Sequence, residues 1–366
     1  MSDLSMKVQP KPSYYFGKNA LGLRSQNYFN RSCMDRKMEK RRLGTNGPLV
    51  STMGLGCMGM SIGYGPADDA ESVDTISRAI DLGVTFFDTA DGYGWGHNES
   101  LVGKAIRSKR NQLVIATKTG FVQQTGGDGD LDDYLDGSPR HIKEACDASL
   151  KRLGVETIDL DYLHRVDPKT PIEDSIGAMA DLVKTGKIRH VGISEVKPAT
   201  IRRAAKVHPI AAVQTEYSLW ERFPENEILP TCQELGIGFV SYSPLGRGFL
   251  TGTVMDVAQL SSEDFRNILP RFQGDNFEAN KRLVGELQQI AEHNNCSMPQ
   301  LALAWILQKD KGVVPIPGTK HIKHLEDNLG ALNVRLSSEE MTRLNDMFPI
   351  NVAKGAKYPA AFETEA

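Results

Sequence analysis

No apolar run in this chain approaches the roughly 20 residues a helix needs to cross a bilayer, and the N-terminus has no apolar core of signal-peptide length. Neither a membrane span nor a secretory leader is expected, which leaves the cytoplasm as the expected location. Cysteine is scarce. Cys33, Cys57, Cys146, Cys232 and Cys296 are odd in number, far apart and without a CxxC pair, which argues against a disulfide framework and a zinc knuckle. No two of the 8 histidines are spaced as HxH, so a metallohydrolase barrel is disfavoured and no metal is expected. The absence of GxSxG removes the nucleophile elbow of a serine hydrolase. Nor does one sign of charge dominate: the net charge is -3, with no bulk basicity to call for nucleic acid or an anionic membrane.

What is present is a globular composition, 40% hydrophobic and 24% charged, on 366 residues, enough for one large barrel or two ordinary domains. Residues 1 to 38 stand apart, rich in Lys, Arg, Ser, Asn and Tyr and without sustained periodicity. They are expected to form a flexible extension; a transit peptide, or a true start at Met38, are other readings of the same stretch. The glycosylation-like triplets at Asn30 and Asn98 are read as chance matches.

From Arg41 onward, short apolar runs alternate with amphipathic stretches of helical length. A hairpin turning at Thr45-Asn46-Gly47 precedes candidate strands near 52–56, 84–88, 113–118, 158–164, 188–193, 211–215, 237–242 and 313–316. Helices are expected near 68–82, 98–109, 139–153, 172–185, 198–207 and 224–235. A longer region, 276–309, should hold two helices broken at Ser297-Met298-Pro299, and two more follow near 322–333 and 337–346. Eight alternations predict an α/β fold, a (β/α)8 TIM barrel over 39–346 with an N-terminal β-hairpin and extra C-terminal helices, followed by a tail over 347–366. The loops 121–137 and 247–275 follow strand ends and are expected to wall the mouth of the barrel.

One motif misleads. Gly54-Leu55-Gly56-Cys57-Met58-Gly59 satisfies GxGxxG, but the sequence runs on through Gly63-Tyr64-Gly65-Pro66, which cannot open the helix a Rossmann phosphate site requires. The stronger signal is positional. In VTFFDTADGYG, Val84, Phe86 and Asp88 share a face by period-two alternation, with Tyr93 in the following loop. Val114, Ala116 and Lys118 repeat the pattern in LVIATKTGF, and Leu160, Tyr162 and His164 in IDLDYLHR. A barrel sets those three strand ends side by side, so Asp88, Tyr93, Lys118 and His164 should converge at its mouth. There Lys118, held by Asp88, would favour ionisation of the Tyr93 phenol and make it a proton donor, while His164 would orient a carbonyl oxygen. Any one of these residues alone reads more readily as a salt bridge, a rim residue or a core histidine.

These segments closely resemble the aldo-keto reductase family over about 39–345. The matching text is FFDTADGYG with GHNESLVGKAI, ATKTGF, ASLKRLGVETIDLDYLHRVDP, KIRHVGISE, VQTEYSLW, SYSPLGRGFLTG and VPIPGTKHIKHLEDN. The resemblance implies the same catalytic tetrad, NADPH (NADP+) as cofactor, and a small-molecule aldehyde or ketone as substrate. It points to a branch similar to aldehyde, pyridoxal and perakine-type reductases. By motif it implies that Ser194 and Gln214 hold the nicotinamide carboxamide and that Tyr242 stacks on the ring. Ser243, Pro244, Leu245, Gly246 and Arg247 would fold over the pyrophosphate, Gly318, Thr319 and Lys320 would meet the adenosine 2′-phosphate, and Asp327 and Asn328 the adenine side. Trp95, Trp220 and Phe249 are candidates for the substrate pocket. The chain departs from the family pattern at Glu195, where Asn is common, at His321 and His324, and at Asp161, an acid in a usually apolar strand. A second reading is a cofactor-sensing regulatory module of the same fold with little turnover.

Overall fold

The structure is a computed structural model that describes residues 38–123 and 134–360; the expected extension 1–38, apart from Met38, and the middle of the 121–137 loop lie outside the described residues. Strands β1 (Lys40–Arg42) and β2 (Leu49–Ser51) form the expected antiparallel hairpin, with Lys40 opposite Ser51 and Arg42 opposite Leu49. The hairpin closes the base of the molecule, where Leu43 and Val50 are fully buried in a cluster with Phe86, Leu160 and Val240. Gly44 allows the approach: its φ is +60°, and a Cβ there would lie 2.3 Å from the Gly236 carbonyl oxygen.

Eight parallel strands follow, each paired with the next: β3 (Leu55–Gly56), β4 (Phe86–Asp88), β5 (Val114–Thr119), β6 (Ile158–Leu163), β7 (Ile188–Ser194), β8 (Ile210–Glu216), β9 (Gly238–Tyr242) and β10 (Val313–Pro315). The sheet curls until its edges meet. A parallel bridge joins Gly56 to Gly318, and the Gly54 N–H donates to the Pro315 carbonyl at 3.0 Å. Strands β6 and β8 are buried along their whole length, as parallel strands covered on both faces must be.

The covering helices are α1 (Asp69–Asp81), α2 (His97–Ile106), α3 (Pro139–Leu153), α4 (Ile172–Lys184), α5 (Pro198–Val207), α6 (Ile228–Leu235), α7 (Gly274–His293), α8 (Met298–Lys309), α9 (Ile322–Gly330) and α10 (Ser338–Met347). Their ends follow local chemistry. Ser138 caps α3 with Pro139 in its first turn, and Gly154 ends it in the left-handed region. The break expected at 297–299 is a capping box, in which the Ser297 side chain accepts from the Gln300 N–H and the Gln300 side chain returns to Ser297. Among the described residues no helix is long and apolar enough to cross a membrane.

Candidate active site

Period-two alternation does bring the expected residues together. In register, Asp88 of β4 lies beside Ala116 of β5, and Lys118 lies beside Tyr162 of β6, so Asp88, Lys118 and His164 step two residues further along the inward face from each strand to the next, and the long Lys118 side chain reaches back to Asp88. Tyr93 enters from the turn between β4 and α2. The Lys118 ammonium donates to an Asp88 carboxylate oxygen, to the Thr89 carbonyl at 2.9 Å and to the Tyr93 hydroxyl oxygen at 3.0 Å, so its three protons are all placed. The other Asp88 oxygen accepts from the Gln214 amide at 2.7 Å. The His164 ring meets Tyr93 edge-on at 5.8 Å and Phe121 at 4.6 Å.

Burial dominates the electrostatics. It pushes the Tyr93 phenol above its ordinary pKa, and the Lys118 ammonium acts against that rise. Burial, the largest single influence, would lower Lys118, but the Asp88 carboxylate and the Tyr93 oxygen together outweigh it and raise the ammonium above its ordinary pKa. His164 is driven well below the usual histidine range by burial and then by the charges of Arg165 and Lys118. It is therefore a neutral imidazole, and its Nδ1 has no partner among the described residues. The site thus pairs a phenol held by a cation with an uncharged hydrogen-bonding ring.

The tetrad opens into a cavity of about 1600 Å³ that reaches from Tyr93 and His164 past Ser194, Gln214, Tyr242 to Leu245 and Arg247, and on to Gly318, Thr319, Lys320, Asp327 and Asn328. Ser194 and Gln214 are register partners on β7 and β8. The backbone around them is bent sharply: Trp95, Glu195, Ser243 and Arg247 all have positive φ, between 46° and 58°. Much of the 247–275 segment lines the cavity, as expected of a wall.

Other residues fall elsewhere than expected. Trp220 and Phe249 do not face the cavity; they stack at 4.1 Å and pack with Phe272 in the core, because two large apolar rings gain more by covering each other than by lining a wet cleft. Their role is support from behind: a Cβ on Gly246, at φ +57°, would lie 2.7 Å from the Trp220 indole nitrogen, so the 243–247 loop rests on that ring. Trp95, 44% exposed, does line the cavity. The Lys320 ammonium is engaged by the carbonyls of Tyr64 at 2.9 Å and Pro66 at 2.5 Å, and Asp327 accepts from Ser297 and Gln300 at the start of α8. Asn98 is fully buried and bonded to Thr89 and Cys57, which excludes it as a sugar acceptor.

Arg165 and Tyr358, which line the cavity, and Glu216 and Lys357, which do not line it but pair with Arg247 and Glu195, carried no sequence assignment. Arg165 directly follows His164, and a cation at that strand end was the available signal. Glu216 receives Arg247 at 2.7 Å. Lys357 pairs with Glu195, and the Tyr358 hydroxyl meets that of Tyr242 at 2.9 Å beneath the Arg247 guanidinium, 4.5 Å from the ring. No periodicity links a tail to a barrel mouth, so these two were beyond pattern reading.

The donor set suits a dinucleotide. Ser194, Gln214 and Tyr242 cluster beside the tetrad, and Arg247 keeps a buried Nη1 without a partner next to the bent 243–247 backbone. Among the described residues no group of His, Cys, Asp and Glu is arranged to hold a metal ion.

The Aldo/keto reductase family model matches residues 52–348. The chain is 45% identical over 319 residues to a probable aldo-keto reductase 1 of Glycine max, covering 87% of this chain and 91% of that one. Among solved structures it resembles the glycerol dehydrogenase of Gluconobacter oxydans, with a TM-score of 0.74 and 31% identity over 87% of this chain and 96% of that chain. A thermostable aldo-keto reductase solved with the inhibitor epalrestat gives a TM-score of 0.67 and 30% identity, over 85% of this chain and 100% of that chain.

Proposed function

The chain belongs to the aldo/keto reductase family, and from that premise we propose that it is an NADPH-dependent oxidoreductase of the alcohol dehydrogenase class that reduces an aldehyde or ketone to the alcohol. The observation that carries this reading is the shared ammonium: Lys118 touches Asp88 on one side and the Tyr93 hydroxyl on the other, and Asp88 and Tyr93 line the cavity.

In this mechanism a carbonyl oxygen sits between the Tyr93 hydroxyl and the neutral imidazole of His164. A bound NADPH supplies the hydride that adds to the carbonyl carbon. The C=O π pair moves onto oxygen, and Tyr93 transfers its proton there, leaving an alcohol and a phenolate. Lys118 stabilises that phenolate, which offsets the burial that would otherwise hold the proton on Tyr93. Asp88 keeps the ammonium in place, and His164 fixes the oxygen by a hydrogen bond without competing for the proton. Ser194, Gln214 and Tyr242 would hold the nicotinamide, the 243–247 loop with Arg247 the pyrophosphate, and Gly318 to Lys320 with Asp327 and Asn328 the adenosine end. For Lys320 to meet a 2′-phosphate, it must exchange at least one loop carbonyl for it. The four described cysteines are free thiols, which suits a reducing cytoplasm.

The test is consumption of NADPH with a panel of aldehydes and ketones by the native protein and by Tyr93→Phe. The variant should lose about 10²- to 10⁴-fold in kcat while binding NADPH as before. Retention of native kcat by the phenylalanine variant would remove Tyr93 as the acid.

A further inference from the structure

We propose that Arg165 anchors an anionic group of the substrate, so that the carbonyl compounds this site takes best carry a carboxylate; the inference rests on the reductase reading above and names its substrate class. The argument begins with charge. Around the cavity Asp88 is paired with Lys118, Glu216 with Arg247 at 2.7 Å, Asp264 with Arg266 at 2.7 Å, and Glu195 with Lys357. Of the lysines and arginines that line the cavity, two have no carboxylate partner among the described residues: Lys320, whose ammonium is taken up by the carbonyls of Tyr64, Gly65 and Pro66, and Arg165. Among the described residues it has no carboxylate at ion-pair distance, although it lines the cavity beside Tyr93 and His164.

Its hydrogen bonds fix its posture and leave it incomplete. Nη1 donates to the His164 carbonyl at 2.7 Å and to the Ser194 hydroxyl at 3.3 Å, while Nε and Nη2 have no acceptor among the described residues. A guanidinium is planar, so fixing one edge aims the other. A partly buried cation with free donors is satisfied best by a carboxylate, whose two oxygens match the fork of N–H groups. The aromatic rings of Phe121, Trp95 and Tyr358 also line this part of the cavity and would shield such a pair from water, strengthening it. Glu195 cannot serve instead, because Lys357 and the Glu216 N–H already occupy its two oxygens. Since Arg165 adjoins His164 in the chain, the anchored group lies close to the carbonyl being reduced. The geometry is that of a short oxo acid or carboxyaldehyde, held at one end by Arg165 and at the other by Tyr93 and His164.

The experiment compares acids with their methyl esters, using glyoxylate, succinic semialdehyde and 4-carboxybenzaldehyde as substrates for the native protein, Arg165→Met and Arg165→Lys. The native protein should favour at least one acid over its ester by roughly ten-fold or more in kcat/KM, mostly through KM, the size of one charge-assisted hydrogen bond. Arg165→Met should bring that ratio near one, and Arg165→Lys should keep part of it. Any loss transmitted through Tyr93 is shared by acid and ester and cancels in the ratio. An acid-to-ester ratio at or below one for all three pairs in the native protein, or a ratio that survives Arg165→Met, overturns the proposal. So does a ten-fold rise in the NADPH dissociation constant of Arg165→Met with an unchanged ratio, which would assign the guanidinium to the cofactor. If no carbonyl is turned over, the reductase reading fails by itself. Quenching of the exposed Trp95 by 4-carboxybenzaldehyde, compared between native and Arg165→Met protein, still decides whether Arg165 binds the anion.

Discussion

Replacing Asp161 with Asn should flatten the pH dependence of stability, and the size of the effect follows from where β6 puts the side chain. Both Asp161 oxygens are buried without a partner, on the helix-facing side of the strand, near Asp91, Glu99 and Cys146. Burial first, and then the charges of Asp91 and Glu99, push its carboxyl well above the ordinary range. In the unfolded chain the same group titrates near ~3.9. The folded state therefore holds a proton that the unfolded state releases. The stability associated with it is fully present below ~3.9 and is lost as pH rises toward the folded value, at up to about 1.4 kcal/mol per pH unit. Each pH unit crossed between the unfolded and the folded value therefore removes up to about 1.4 kcal/mol, a noticeable share of the roughly 5–15 kcal/mol that typically separates folded from unfolded. Asn has nearly the same shape and does not titrate. Urea unfolding of both proteins at pH 5, 6, 7 and 8 should show the variant gaining on the native protein as pH rises. Parallel curves would mean that Asp161 is not protonated in the fold, and would refute the reasoning. Asp91, pushed up to about 7 by burial and Glu99, contributes in the same direction and remains in both proteins, so the difference between them reports Asp161 together with its coupling to Asp91.

Two further outcomes are expected. Arg152→Met leaves the fully buried Glu99 with Thr117 alone, where it now also receives the Arg152 guanidinium at 2.6 Å; thermal and urea unfolding should show a loss of about 3–5 kcal/mol, and a loss under about 1 kcal/mol would mean that the pair contributes little to the fold. Lys320→Met should weaken NADPH binding by about 10- to 100-fold and leave NADH within a few-fold, as read by fluorescence titration. An equal loss for both would show that the ammonium serves only to hold the 64–66 loop.

The barrel and the tetrad were legible because both rest on periodicity. Leu160, Tyr162 and His164, or Val114, Ala116 and Lys118, fall on one face through alternation alone, and parallel pairing then brings the last member of each set to the same end of the sheet, with His164 two residues beyond the register partner of Lys118. Helix limits were legible where a cap announces them, as Ser138 and Gly154 do for α3. Side-chain partners were not. Nothing in the text GTK says that the Lys320 ammonium turns onto the carbonyls of Tyr64 to Pro66, some 250 residues earlier, or that Asp327 is taken up by Ser297. Trp220 and Phe249 show the same limit from the apolar side: an aromatic after a strand can line a pocket or brace the loop that does, and only the fold distinguishes the two. Asp161 stood out as an oddity in the sequence and remains one in the fold, now with its lack of partners defined.

The N-terminal hairpin has a practical consequence for handling the protein. It packs against Gly238, where β9 begins, whereas Tyr358 packs against Tyr242, where the same strand ends. The chain therefore enters the described fold at the sealed floor and leaves it at the open rim. An affinity handle or surface tether fused upstream of Met38 would leave the rim facing solution and suits immobilised catalysis. The same handle fused downstream would be joined to the fold through Ala360, the last described residue, two positions past Tyr358 at that rim.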